Sequence, residues 1–137
     1  MNKTLKANTL NSIEFFDKIW ESLVELNSPV IIEGKRDTQA LRDLNFEGII
    51  IELNDGNSVL STVEEIVRNF GRRSTFVVLT DWDRTGENLA QQLKKYGESC
   101  DLIPNLRIRQ NLSVLSSRDI TCIEELPTFV NSLKSEI

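Results

Sequence analysis

Between residues 9 and 26 apolar side chains return at three- and four-residue steps: Ile13, Phe16, Ile19, Trp20, Leu23 and Leu26. That spacing places them on one stripe and predicts an amphipathic helix. Asn11 or Ser12 is the expected cap, Glu14 falls in the first turn, and Asn27-Ser28-Pro29 stops the helix. The pattern then changes. Val30-Ile31-Ile32, Ile49-Ile50-Ile51 and Phe76-Val77-Val78-Leu79 are short apolar runs rich in β-branched residues, as in buried strands. Cys100-Asp101-Leu102-Ile103 reads as a short fourth strand ended by Pro104. Helical periodicity fills the gaps. Residues 36–45 turn Ala40, Leu41 and Leu44 inward, and Ser58 caps a helix that reaches Phe70 and stops at Gly71. A further helix carries Leu89, Ala90, Leu93 and Tyr96 and is expected to end at Gly97. Asn54-Asp55-Gly56-Asn57 has turn chemistry, and a helix near 105–116 and a short one after Pro127 complete the tail.

Strands that alternate with helices predict an α/β fold: a four-stranded, mainly parallel sheet covered by helices, Rossmann-like, with an added N-terminal helix. No repeat, low-complexity stretch or linker interrupts the pattern, so residues 1–137 read as one domain.

Composition narrows the chemistry. The chain has no histidine, which excludes Ser-His-Asp and Cys-His catalysis and histidine metal sites. Cys100 and Cys122 stand apart, outside any CxxC pattern, and are expected to be free thiols in a reducing cytoplasm. Met1-Asn2-Lys3-Thr4 leads into no apolar run of signal-peptide length, and no stretch approaches a membrane span. With a formal net charge of −5 the chain is not built to grip long duplex by charge alone. Contact with nucleic acid has to be local, metal-bridged or supported by a partner.

The candidate chemistry lies just after two of the apolar runs. Glu33 follows the first strand, and Asp81 and Asp83 follow the third. In open parallel sheets, ligands collect beyond the carboxyl ends of strands where the strand order reverses. If these two strands are neighbours, about 4.8 Å apart, the three acids can meet. The alternation Asp81-x-Asp83 aims both carboxylates the same way in extended chain. Two such charges about 4 Å apart repel by roughly 4 kcal/mol at an effective dielectric near 20, and a divalent cation relieves this. Hard oxygen ligands suit Mg²⁺ or Mn²⁺. Gly34 and Gly86 follow the acid-bearing turns, where a missing side chain lets a phosphate or the backbone approach. Lys35, Arg36 and Arg84 flank the acids as phosphate-holding or merely solvated cations. Asp37 and Glu87 stand at helix starts, where capping accounts for them, and Trp82 is a lid or a core anchor.

Ile31-Ile32-Glu33-Gly34-Lys35-Arg36-Asp37-Thr38 resembles the first motif of Toprim domains, and Leu79-Thr80-Asp81-Trp82-Asp83-Arg84-Thr85-Gly86-Glu87 resembles their second, Asp-x-Asp-x-x-Gly. The resemblance covers about residues 29–103 and is nearest to small stand-alone Toprim proteins and to the ribosomal-RNA maturation nuclease. Toprim domains also occur in primases, topoisomerases, overcoming-lysogenization-defect nucleases and recombination-repair proteins. The resemblance implies that Glu33 acts as acid, base or metal ligand and that Asp81 and Asp83 bind Mg²⁺. It departs at Thr85, where topoisomerases carry a Glu, and at Trp82, where a Pro is usual. No strand-passage tyrosine domain accompanies it, so neither a complete topoisomerase nor a complete primase is expected. Two functions remain: a Mg²⁺-dependent, nuclease-like protein acting on RNA or DNA, or a non-catalytic, metal-bridged subunit of a nucleic-acid complex. A protein partner or a second copy of the chain is compatible with either.

Overall fold

A computed structural model describes residues 3–53, 58–116 and 119–137. Its sheet has four parallel strands, β1 (Val30–Ile32), β2 (Ile50–Glu52), β3 (Thr75–Val78) and β4 (Ile103–Asn105), in the order β2-β1-β3-β4. Helices α1 (Lys3–Leu26), α2 (Lys35–Asp43), α3 (Val59–Phe70), α4 (Arg84–Ser99), α5 (Arg107–Ser116) and α6 (Leu126–Ser135) cover it. A single 3₁₀ turn, Ile123–Glu125, leads into α6. The expected α/β fold with its additional N-terminal helix is therefore the fold observed.

The central strands β1 and β3 are apolar on both faces because each face meets a helix layer. Val30, Ile32, Val77 and Leu79 pack with Leu23, Leu41 and Leu112, from α1, α2 and α5. Ile31, Phe76 and Val78 pack with Ile66 of α3 and Leu93 of α4. Full burial of one such side chain contributes roughly 1.5–3 kcal/mol. The order 2-1-3-4 matters most for function. The chain leaves β1 toward α2 on one face and leaves β3 toward α4 on the other. The two loops therefore diverge between adjacent strands and open a crevice at their carboxyl ends.

Several boundaries differ from the sequence pattern. Asn11 and Ser12 do not cap α1. The helix runs back to Lys3, and Thr9 is buried where its hydroxyl donates to Glu136 at 2.9 Å. Tertiary contact here overrides capping preference. Gly97 lies inside α4, whose helix continues to Ser99, because a Cβ there would come within 2.7 Å of the Phe76 ring. It is a close-packing glycine, not a stop. The fourth strand begins at Ile103 rather than Cys100 and contains Pro104, which an edge strand tolerates because it need not donate on its outer side. Ser58 caps α3 as expected, its hydroxyl accepting from Ser61 N–H at 3.0 Å. The Asn54–Asn57 turn lies outside the described residues.

Candidate functional site

Strands β1 and β3 are direct neighbours, with Ile31 opposite Val78, so Glu33 and Asp81 emerge side by side at the crevice. The Asp81 backbone N–H donates to Glu33 Oε2 at 2.7 Å. Asp81 Oδ1 accepts from the N–H of Ile123 at 3.0 Å, which fastens the chain's C-terminal return to the site. Asp37 is buried on the first turn of α2, and its carboxylate accepts from Gly34 N–H at 3.2 Å. Capping therefore accounts for Asp37. Glu33, Gly34, Asp37, Asp81 and Glu124 border an open cleft of about 720 Å³, with Lys35 and Arg36 exposed on its rim.

The second half of the predicted constellation does not line that cleft, although the charge of Asp83 reaches Glu33 and Asp81. Asp83 is the exposed N-cap of α4, its Oδ1 accepting from Gly86 N–H at 2.8 Å. Arg84 is exposed on the first turn of α4. Gly86 is buried, and a Cβ there would stand 1.8 Å from the Asp81 carbonyl oxygen. Its missing side chain makes room for backbone. Glu87 does not cap its helix. It pairs with Arg109 at 2.7 Å and accepts from Gln91 at 3.0 Å. Among the described residues, no three carboxylate or thiol side chains converge into a ready metal cage.

The electrostatics show a deficit of positive charge. Burial raises the Glu33 carboxyl above its usual range, and the charges of Asp81, Asp83 and Asp37 push it further. The Asp81 N–H bond pulls the other way. Burial likewise raises Asp81, with Asp83 and Glu124 adding to the rise, and raises Asp37, with Asp81 adding to it. Glu33 and Asp81 also meet through their side chains, so they titrate as a pair. Burial raises the Cys122 thiol too, with help from the charges of Glu125, Asp81 and Glu124, which keeps it poorly nucleophilic. The donor set fits Mg²⁺: hard carboxylate oxygens, with Glu33 and Asp81 close enough to serve together. Mg²⁺ commonly takes only one or two protein carboxylates and completes its shell with waters.

These shifts set the pH dependence of folding. A raised folded-state value contributes stability that is full at low pH and is lost as pH rises through it. Asp81→Asn keeps an oxygen for Ile123 N–H while removing the charge. Without divalent ions it is expected to stabilise the protein near neutral pH, by at most about 1 kcal/mol because the group is half exposed and screened. The gain should vanish near pH 4, about where carboxylates protonate. Urea denaturation at both pH values in chelator checks this, and a loss of stability at neutral pH would contradict it.

Sequence reasoning missed two residues. Arg109 of α5 is 6% exposed; its Nε donates to Thr80 O at 2.9 Å and its Nη2 to Asp81 O at 2.7 Å. Together with the Glu87 contact, these bonds fix the loop that presents Asp81. The available signal was a charged residue on the inward stripe of a helix, three positions before buried Leu112. Glu124, from the 3₁₀ turn, borders the cleft and lies 3.5 Å from Arg36. No local pattern places it beside β1. Trp82, considered as lid or anchor, ties down the tail: its indole N–H donates to Ile120 O at 2.9 Å and its backbone N–H to Thr121 O at 2.8 Å.

Known proteins agree with this architecture. A UPF0292 protein of Methanosarcina barkeri is 36% identical over 135 residues, covering 91% of this chain and 92% of its own. The chain belongs to the UPF0292 family. A family member from Methanocaldococcus jannaschii is 32% identical, over 86% of this chain and 94% of its own. Among solved structures, a putative protein from Aquifex aeolicus superposes with a TM-score of 0.63 at 21% identity, covering 82% of this chain and 94% of that one, which shows a shared fold. No family model matches the chain.

Proposed function

We propose that this UPF0292 protein is a Mg²⁺-dependent, Toprim-type protein of the cytoplasm that acts on nucleic-acid phosphodiesters in a nuclease-like reaction. One observation carries the reading: Glu33 and Asp81, from adjacent parallel strands, meet at the switch point of the sheet with carboxyls raised chiefly by burial and further by neighbouring acids. Glu33 and Asp81 would hold the cation, and Asp83 would join through the oxygen not engaged by Gly86. A bound divalent ion supplies charge neutralisation and polarisation of a phosphate oxygen. Glu33, whose carboxyl is raised by burial in the metal-free protein, takes and returns the proton where the ion rests on Asp81 and Asp83 and leaves it unligated. Gly34 commits its N–H to Asp37, so at the N-terminus of α2 it is Lys35 and Arg36, on the cleft rim, that offer backbone N–H groups and positive charge to phosphate oxygens, with Gly34 adding no side chain to obstruct them. Arg84 and Gly86 lie on the α4 side of the site; Gly86 serves its loop.

A second reading has its own observation. Asp83 already works as a helix cap, which leaves less of it for chemistry and suits a metal-bridged binding subunit. Calorimetric titration with Mg²⁺ and Mn²⁺ tests what the two readings share. Binding is expected in the wild type and at least about tenfold weakened in the Asp81→Asn, Asp83→Asn double variant. Equal affinity in the two proteins would remove the metal assignment. A cleavage screen on single- and double-stranded RNA and DNA then separates enzyme from subunit.

A further inference from the structure

A second groove, of about 670 Å³, runs beside the acid cleft between α4 and α5. Its character is different. Among the described residues, the charged groups that border it are Glu87 and Arg109, which pair at 2.7 Å. The other polar groups on its described wall are neutral: the amides of Gln91 and Gln110 and the hydroxyls of Ser113 and Thr121. Gln91 donates to Glu87 at 3.0 Å, which orients its amide, and Gln110 is exposed on α5. Trp82, the residue between Asp81 and Asp83, also lines the groove. Its indole is half-buried and pinned by the bond to Ile120 O, so the ring is held in place before any ligand arrives. Because Trp82 stands between Asp81 and Asp83, its Cα lies one peptide step, about 3.8 Å, from each.

We infer that this groove is a base-binding site for single-stranded nucleic acid, which receives the nucleobase next to a phosphate held at the acid cleft. The inference rests on the phosphodiester reading above and gives it a substrate class. Three features agree. A near-neutral wall neither attracts nor repels a phosphate, so the groove suits the uncharged part of a nucleotide. An aromatic ring with amides is the combination that receives bases, the ring by stacking and the amides by hydrogen bonds to base edges. A base paired within a duplex cannot reach a side groove without leaving its stack, so an unpaired strand is preferred.

The test compares three labelled ligands by fluorescence anisotropy in Mg²⁺: a short oligodeoxythymidylate, an abasic strand of equal length and the duplex. The thymidylate strand is expected to bind at least about tenfold tighter than the abasic strand, the range of one stacked base, and tighter than the duplex. Gln110→Ala, an exposed substitution that leaves the core alone, should move the thymidylate-to-abasic ratio toward one. Trp82→Leu should do the same, and Trp82→Phe, which keeps a ring, should retain most of it. If Trp82→Leu fails to fold, Gln110→Ala decides. A ratio near one in the wild type overturns the inference, and so does a ratio that Gln110→Ala leaves unchanged. The metal reading is judged separately by calorimetry. Base-dependent binding without Mg²⁺ binding would keep the groove and remove the metal centre. Mg²⁺ binding with indifference to bases would do the opposite.

Discussion

Gly86→Ala is expected to lose about 3 kcal/mol of folding stability, among the larger effects a single methyl can have. The direction is opposite to the usual one, since alanine in place of glycine within a helix ordinarily gains about 1 kcal/mol. Gly86 is the third residue of α4, and helical propensity alone would favour the change. Space decides against it. The added Cβ would lie 1.8 Å from the Asp81 carbonyl oxygen and 2.5 Å from its carbonyl carbon, so it meets backbone and not the yielding tip of a side chain. The carbonyl cannot easily retreat, because Arg109 Nη2 holds it at 2.7 Å. The loop must therefore shift as a unit, carrying the Thr80 hydroxyl bond to Gly86 O and the Asp83 cap with it. Urea denaturation measures the loss. A midpoint within error of the wild type would show that the loop gives way freely.

Glu33→Gln is expected to lower phosphodiester turnover by about 10²- to 10⁴-fold, the usual worth of a positioned acid or base. The fold should survive, because glutamine retains an oxygen to accept the Asp81 N–H now bonded at 2.7 Å. Stability without divalent ions should stay level or rise, since the substitution removes a charge from among Asp81, Asp83 and Asp37. Retention of folding with loss of turnover is the signature to look for in cleavage assays of labelled RNA and DNA. Undiminished cleavage by this variant would remove Glu33 from the proton chemistry. Strand binding unchanged by the variant, with no cleavage even by the wild type, is what the binding-subunit reading expects.

Much of the fold was legible because its information is local. Three apolar β-branched runs and the helical stripes between them announce buried strands and covering helices, and these formed within a few residues of their expected positions. The meeting of Glu33 with Asp81 needed one fact that no local pattern carries, the adjacency of β1 and β3. What escaped was nonlocal. Gly97 has stop chemistry, but the Phe76 ring opposite it gives it another purpose. Arg109 looks like one more helix charge until α5 is laid across the β3–α4 loop. Glu124 reaches the cleft only because the tail folds back over it. The Asp81-x-Asp83 alternation puts both aspartates on the cation alike, whereas cap geometry commits one oxygen of Asp83 to Gly86 N–H.

The bond from Ile123 N–H to Asp81, with those from Trp82 to Ile120 and Thr121, has a consequence for how the protein comes into being. Synthesis delivers Glu33 and Asp81 early, the Arg109 brace later, and the strap at residues 120–123 last. A growing chain can pair β1 with β3 while still on the ribosome, yet Asp81 then lacks both the donor that satisfies its carboxylate and the guanidinium that fixes its carbonyl. Ribosomes add about 5–20 residues per second, so the acids wait on the order of several seconds for their supports. Making the working geometry depend on Ile123 ties the readiness of the site to a segment made well after Asp81 itself.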